Sequence, residues 1–252
     1  MKGRMRFLGG FFVMFVTVSL MIFGSASAKD MKHMHHGKSA DMDMHHMHIM
    51  MNHGLEMVTE GSNMVMLGEM KMAPSLDQLT LDHGRHMIAG GKEMIEHTMS
   101  GHEMKGLHKA GHADDPLMKY THELGEAMMK VSDMLEKMSM EGTMTADMME
   151  MHHMHILINH ALDMAAEGAN MVMLGHMGMA KGMDKGSIEH GKMMLKDAHA
   201  LMDEVFGGKA MTEMHEKGIK MDNAMMADTH KLGEAAAKVI DLLEKMPAEG
   251  PK

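Results

Sequence analysis

The sequence predicts an all-α protein in which two tandem copies of an antiparallel helical-bundle unit, of three to four helices each, follow a signal peptide. Apolar residues recur at helical spacing over long stretches of the chain. No alternating run of β-branched or aromatic residues indicates a strand. A repeat at an offset of 107 residues divides the chain into two related halves. These three observations predict the fold class.

The repeat is read directly from two matching segments. The segment from Met44 reads MHHMHIMMNHGLEMVTEGSNMVMLGEMKMA, and the segment from Met151 reads MHHMHILINHALDMAAEGANMVMLGHMGMA. Towards the end of each copy, residues 121–126 (THELGE) match residues 229–234 (THKLGE) at an offset of 108. A duplication with one inserted residue explains both offsets. We predict a first helical repeat over 43–140, a linker over 141–149 and a second repeat over 150–247.

The N-terminus has the order of a secretory signal peptide. Three basic residues precede an apolar run over 7–23, and Ala26-Ser27-Ala28 then supplies small residues for cleavage. We therefore predict a signal peptide over 1–28 and a periplasmic or secreted protein; an uncleaved anchor is the alternative. The mature chain would begin with a flexible tail over 29–42, in which His33-Met34-His35-His36 could capture metal.

Helix boundaries follow from periodicity and capping residues. We predict helices over 44–70, 76–99 and 116–138, with a short one near 102–110, and over 151–177, 184–206 and 219–246. Asp115 before Pro116 places an N-cap ahead of a proline at the first helical position. Pro74 with Ser75 is expected to end the first helix and cap the next, and Pro247 to end the last.

The first helix has one broad apolar side and a polar side. The polar side carries Asn52, Glu56, Thr59 and Glu60, and the apolar side is formed by Met44, His48, Met51, Leu55, Val58 and Val65. Gly54, Gly61 and Gly68 recur every seven residues, answered by Ala161, Gly168 and Gly175. Each internal glycine costs about 1 kcal/mol of helix propensity, so this series predicts close helix packing.

Composition indicates the chemistry. The chain has 46 methionines, 23 histidines, no cysteine and no tryptophan among 252 residues. Methionine can fill a core, but so many histidines need another reason. Soft or borderline metal ligation joins the two excesses, since thioether and imidazole both coordinate Cu(I). Without cysteine, disulfides, thiolate sites and a blue-copper centre are excluded.

Charge and motifs exclude other classes. Removing the signal peptide leaves 35 acidic and 22 basic residues. This acidic balance argues against nucleic acid as a partner and suits a protein that binds cations. No later segment is apolar enough to span a membrane, so no membrane association is expected after cleavage. No catalytic constellation or phosphate loop is present, and HEMKGLH at 102–108 lacks metalloprotease spacing, so we predict no enzyme.

We select five Met/His pairs at spacing i, i+4 that recur in both copies, and we call them Met/His clips because both side chains lie on one helix face. Composition alone predicts roughly eight Met/His pairs at this spacing in the chain, so the composition is stronger evidence than the pairing. With the two HHMH clusters, the clips give the candidate metal ligands Met44, His45, His46, Met47, His48, His53, Met57, His83, Met87, Met104, His108, Met118 and His122 in the first copy, and Met151, His152, His153, Met154, His155, His160, Met164, His190, Met194, Met211, His215, Met226 and His230 in the second.

Not every candidate needs to bind metal. Any single methionine on an apolar face can be a core residue instead. In each HHMH cluster, at least one of the three imidazoles must be exposed, because they fall within one helical turn. We expect six histidines to face inward as ligands, since a buried imidazole otherwise needs a hydrogen-bond partner at each nitrogen: His53, His83, His122, His160, His190 and His230.

Thioether ligands favour Cu(I), and Ag(I) should bind by the same softness, whereas histidine-only subsets could take Cu(II), Ni(II) or Zn(II).

The chain resembles the Met/His-rich periplasmic copper-binding proteins of bacterial copper resistance. The resemblance lies in the HHMH clusters, the MVML, GEMKM and GHMGM segments, the signal peptide and the absence of cysteine. That resemblance implies copper sequestration, storage or tolerance. The alternatives are a copper chaperone that serves an exporter or oxidase, a methionine-based oxidant sink, and a structural bundle with an adaptable methionine surface. The oligomeric state stays open.

Overall fold

The computed structural model describes residues 40–71, 75–138, 146–179, 182–216 and 224–246. All regular structure in these ranges is helical, so the predicted all-α class is confirmed. The helices are α1 Ala40–Glu69, α2 Asp77–Ser100, α3 His102–Lys109, α4 Pro116–Lys137, α5 Ala146–His176, α6 Asp184–Gly207, α7 Lys209–Glu216 and α8 Ala224–Glu244, with a short 3-10 turn at His112–Asp114. The predicted signal peptide, almost all of the N-terminal tail, residues 141–145 of the linker and Pro247 lie outside the described residues.

Helices α1 and α2 form an antiparallel hairpin whose backbones touch through glycine. Gly54 faces Gly91 and Gly61 faces Gly84, and a Cβ atom added to Gly61 would lie 2.6 Å from the carbonyl oxygen of Gly84. A side chain at these positions would push the helices apart, which explains why the sequence accepts glycine inside a helix. The close packing predicted from the glycine series is confirmed. Helices α5 and α6 meet in the same way, with a Cβ at Gly168 placed 2.7 Å from the carbonyl oxygen of Gly191.

Helix α4 runs antiparallel to α2 and therefore parallel to α1. Lys92 of α2 pairs with Asp133 of α4 at 2.8 Å, and Met99, two turns further along α2, packs on Gly125, two turns earlier in α4. Because α1 and α4 point the same way, their N-termini lie at one end of the molecule. The short helix α3 bridges α2 and α4 there.

The two halves share one core. Helix α1 packs on α4 and α5, and α8 packs on the other side of α4 and α5, which closes a four-helix bundle. Helices α2 and α6 lie outside it, each against the bundle helices of its own half. Buried side chains from both halves belong to one cluster that includes Leu55, Leu124, Ile158 and Leu232. The described residues of both halves thus form one compact unit.

The seam between α1 and α5 is polar. Asn52 donates to Asn170 at 2.8 Å, and Asn159 donates to Asn63 at the same distance, so equivalent asparagines of the two copies make matching bonds. The sequence placed Asn52 and Thr59 on a polar side of α1; both are fully buried against α5. The residues predicted for the apolar side are buried as expected. Helix α1 therefore packs on more of its circumference than its hydrophobic pattern indicates.

Two predicted caps have different outcomes. Helix α4 begins at Pro116 with Asp115 as its N-cap residue, as predicted. The Asp115 carboxylate accepts a hydrogen bond from His112 Nδ1 at 2.7 Å and makes none to the helix backbone. Ser75 does not cap α2, because that helix begins later, at Asp77, and its N-cap residue is Leu76. The Asp77 carboxylate lies in the first turn, where a negative charge interacts favourably with the helix dipole.

Within the described ranges, no helix has the length and apolar character needed to cross a bilayer.

Candidate metal centre

The HHMH cluster at the start of α1 is mostly buried. Met44, His45, Met47 and His48 are each at most 2% exposed, whereas His46 faces solvent. The second copy repeats this: His152 and His155 are buried and His153 is exposed. The expectation that at least one imidazole per cluster is exposed is therefore confirmed.

His48 is held in one tautomer by a threonine of α4. The single hydroxyl proton of Thr121 is donated to the carbonyl oxygen of Leu117 at 2.7 Å. His48 Nε2 also lies 2.7 Å from the Thr121 hydroxyl oxygen, so the ring nitrogen must be the donor there. Nδ1 then carries a lone pair, and it is buried with no hydrogen-bond partner among the described residues.

Burial keeps His48 neutral. Desolvation by burial, with a smaller contribution from the neighbouring His45, lowers the pKa of His48 to about 3. In the second copy, His155 Nε2 lies 2.7 Å from the hydroxyl of Thr229, and burial lowers the pKa of His155 to about 3 as well. Both rings are therefore in the unprotonated form that metal binding requires, at any pH near neutrality.

Five methionines gather beside His48. Met44 and Met47 of α1, Met104 of α3 and Met118 of α4 are buried together with Leu107, and Met99 of α2 packs against them. We call Met44, Met47, Met99, Met104 and Met118 the methionine cluster. It forms where the N-termini of α1 and α4 meet α3 and the C-terminus of α2, which we call the α3 end. Four separate helices supply its thioethers.

Besides Met44/His48 of α1, two Met/His clips converge at this cluster. Met104/His108 lies on α3 and Met118/His122 on α4; their thioethers share the cluster, and His108 Nε2 lies 3.0 Å from His122 Nε2. The ring centroids are 5.2 Å apart. Two imidazole nitrogens bound to one tetrahedral metal, at about 2.0–2.1 Å each, would be roughly 3.3 Å apart. A small opening of this pair would therefore admit an ion between the rings, with sulfur ligands on the buried side.

Other predicted ligands do not converge. His53, His83, His160 and His190 are exposed, so the prediction that they face inward is wrong. His53 makes an ion pair with Glu56 at 3.2 Å, and this hydrogen bond raises the pKa of His53. The glycine register places His53 and His83 about nine residues apart along the hairpin, on the order of 13 Å. Their clip partners Met57, Met87, Met164 and Met194 are half-buried beside the hairpin seams.

The equivalent region of the second copy, which we call the α7 end, retains both clips in its sequence, as Met211/His215 and Met226/His230, and differs at the position of Met99. Met151, Met154, Met211 and Met226 are buried, as their counterparts are. Phe206 stands at the position equivalent to Met99, and its ring lies 5.9 Å from the half-buried ring of His230. The side chain of His215 lies outside the described residues.

The donor set at the α3 end is mixed. Within the described ranges, no group of three or more His, Asp or Glu side chains is positioned to hold a metal ion. A centre built on the His108–His122 pair would therefore take its further protein ligands from the methionine cluster. Thioether ligands select soft ions such as Cu(I) and Ag(I) over Zn(II), Mg(II) and Ca(II).

Sequence reasoning missed two residues of this centre. Met99 belongs to no clip and was not selected, yet it packs against the cluster. Thr121 orients His48 from another helix, and the signal for it was present, because a Thr-His pair occurs at 121–122 and again at 229–230. A Thr-His pair on one helix indicates such a hydrogen bond only when the facing helix is known to carry a buried histidine.

No protein-family model matches the chain, and no curated protein or solved structure matches it. The residues of the chain itself therefore carry the functional argument.

Proposed function

We propose that this is an exported copper(I)-binding protein, periplasmic or secreted, that sequesters, stores or buffers copper through methionine thioether and histidine imidazole ligands. The observation that carries the proposal is the convergence of two Met/His clips, Met104/His108 and Met118/His122, on one buried methionine cluster. A core-packing role would account for the thioethers, and a hydrogen bond between the rings accounts for the 3.0 Å between His108 Nε2 and His122 Nε2; a shared metal ion would account for both features together.

The ligand chemistry favours a monovalent soft ion. Thioether and neutral imidazole carry no charge, so they hold Cu(I) or Ag(I) without assembling several like charges in a buried place. The chain outside the centre is acidic, with a formal net charge of −10, which attracts cations to the surface. Both properties suit a protein that collects copper from a dilute solution.

Delivery of copper to an exporter or oxidase is the second candidate. His108 is exposed and lies on α3, a helix of only 8 residues. A partner protein could therefore reach this ligand without unfolding the bundle. Storage requires several ions per chain, whereas delivery requires one or two.

Anaerobic titration with Cu(I) against a chromogenic chelator tests the proposal. We expect the mature chain to bind Cu(I) with several equivalents if it stores copper and with one or two if it delivers copper. Met104→Leu together with Met118→Leu should remove one equivalent, because leucine keeps the volume and loses the sulfur. Met66→Leu is the matched control, since Met66 is buried in α1 outside the methionine cluster. A chain that ignores both Cu(I) and Ag(I) at micromolar levels would leave only a structural bundle or an oxidant sink.

A further inference from the structure

A second group of metal-ligating side chains lies beside the methionine cluster, on the solvent side of the same helices. His46 and Met50 of α1, His97 of α2, and His102 and Glu103 of α3 line one open cavity of about 310 Å³. We call this cavity the outer histidine pocket. The proposed Cu(I) centre uses none of these five residues.

The outer histidine pocket and the methionine cluster lie on opposite faces of the same turns of α1 and α3. His46 precedes Met47 and Glu103 precedes Met104, so one residue of each pair points outward and the next points into the cluster. The three histidines of the pocket are exposed, whereas Met47 and Met104 are at most 2% exposed. Imidazole donors therefore lie on the exposed side of these helices, and thioether donors lie on their buried side.

The donor types differ in the ions they select. Three imidazoles and one carboxylate form a nitrogen and oxygen set, which binds divalent transition ions most tightly when the ion is Cu(II). Met50, 36% exposed, would add only a weak sulfur ligand. In the structure the donors lie around the cavity wall and not at bonding distance from one point, so binding would draw the exposed rings inward.

The second copy offers a comparison within the same chain. Its equivalents of His97, His102, Glu103 and Met50 are Glu204, Lys209, Ala210 and Leu157, and only the counterpart of His46, His153, is retained. The same helical scaffold therefore stands without the donor set. Nothing in the packing of the hairpin requires histidine at 97 or 102, because both side chains are exposed.

We infer that the outer histidine pocket is a Cu(II) site, separate from the Cu(I) centre behind it, with His46, His97, His102 and Glu103 as ligands. The protein would then hold the two oxidation states of copper on opposite sides of one helical wall. This goes beyond the proposed function, because it assigns a different ion to different residues.

Aerobic titration of the mature chain with Cu(II), followed by electron paramagnetic resonance, tests the inference. His97→Ala with His102→Ala should lose one equivalent of Cu(II) and the spectral component with nitrogen couplings from several imidazoles, while Cu(I) stoichiometry is unchanged. The matched control is His86→Ala, which removes an exposed histidine of α2 that belongs to no clip and no proposed site, and it should change neither measurement.

An unchanged Cu(II) stoichiometry in the pocket variant would overturn the inference. Loss of Cu(I) and Cu(II) together would also overturn it, since the two sites would then not be separate. Failure of Cu(I) binding in the unmodified chain, with the Cu(II) signal retained, would refute the proposed function alone.

Discussion

The α3 end and the α7 end of the molecule share a scaffold and equivalent Met/His clips, and they differ at the position of Met99 and around the outer histidine pocket. Both ends have a buried histidine bonded to a threonine of the third long helix, and both bury four equivalent methionines. Only the α3 end adds Met99, where the α7 end has Phe206. Only the α3 end has the outer histidine pocket. Packing requirements account for what the ends have in common, and the proposed metal binding would account for what only one end has.

The comparison separates two roles of methionine that composition cannot separate. Met151, Met154, Met211 and Met226 belong to the large apolar core. The equivalent residues of the first copy form a cluster of their own, under a close imidazole pair. The surroundings of the thioether, more than its burial, identify the candidate ligand.

The largest expected effect comes from removing the imidazole pair. His108→Ala with His122→Ala should weaken Cu(I) binding at the α3 end at least about 100-fold, because two of its ligands are lost. His230→Ala at the α7 end should change Cu(I) affinity far less, since that ring packs beside Phe206. Competition with a chelator of known affinity measures both. Equal losses in the two variants would mean that the ends are functionally equivalent.

Exchanging the residue types at positions 99 and 206 should move the higher Cu(I) affinity from the α3 end to the α7 end. Met99→Phe should lower Cu(I) affinity at the α3 end by about tenfold, the size of losing one supporting interaction near a metal. Phe206→Met should raise affinity at the α7 end in return. Both side chains pack on an equivalent glycine, Gly125 or Gly233, so each exchange uses a residue that the scaffold already accommodates. If Phe206→Met leaves the total Cu(I) stoichiometry and affinity unaltered, the fifth thioether is not what distinguishes the ends.

Acid should destabilise both ends equally. The folded pKa of His48 and of His155 is about 3, below the 6.5 of an unfolded histidine, so between these values the unfolded state binds more protons. The contribution of these two histidines to the free energy of unfolding should therefore be complete above about pH 6.5 and be lost as the pH drops towards 3.

Urea unfolding of the apoprotein at pH 7 and pH 5 measures this effect. His48→Gln and His155→Gln should each reduce the loss of stability between the two pH values by a similar amount. Other titrating groups, such as Asp163, whose pKa burial raises, cancel in the comparison with the unmodified chain. A reduction in only one variant would show that the two ends differ in their scaffold as well as their ligands.

Much of the fold could be predicted from the sequence because local rules decide it. Periodicity placed the long helices within a few residues, and the glycine series indicated the tight hairpin that Gly61 and Gly84 make. The eight-residue helix Lys209–Glu216 was not predicted, although its counterpart near 102–110 was. Aligning the second copy with the first would have predicted this helix from its counterpart.

The candidate site could be predicted only in part. Spacing i, i+4 shows which residues share a helix face, but it does not show which face is buried. Helix α1 is covered by α2, α4 and α5, so its buried arc includes His45 and Asn52 and leaves out His53. The convergence of His108 with His122 depends on how α3 folds back on α4, which no spacing within one helix encodes.

Copper K-edge X-ray absorption of the anaerobic Cu(I) complex tests the central claim most directly. We predict a first shell that contains both sulfur and nitrogen at one equivalent of Cu(I), and a loss of sulfur scattering in Met104→Leu with Met118→Leu. A first shell of nitrogen and oxygen alone, unchanged by that double variant, would contradict the claim that the methionine cluster binds copper.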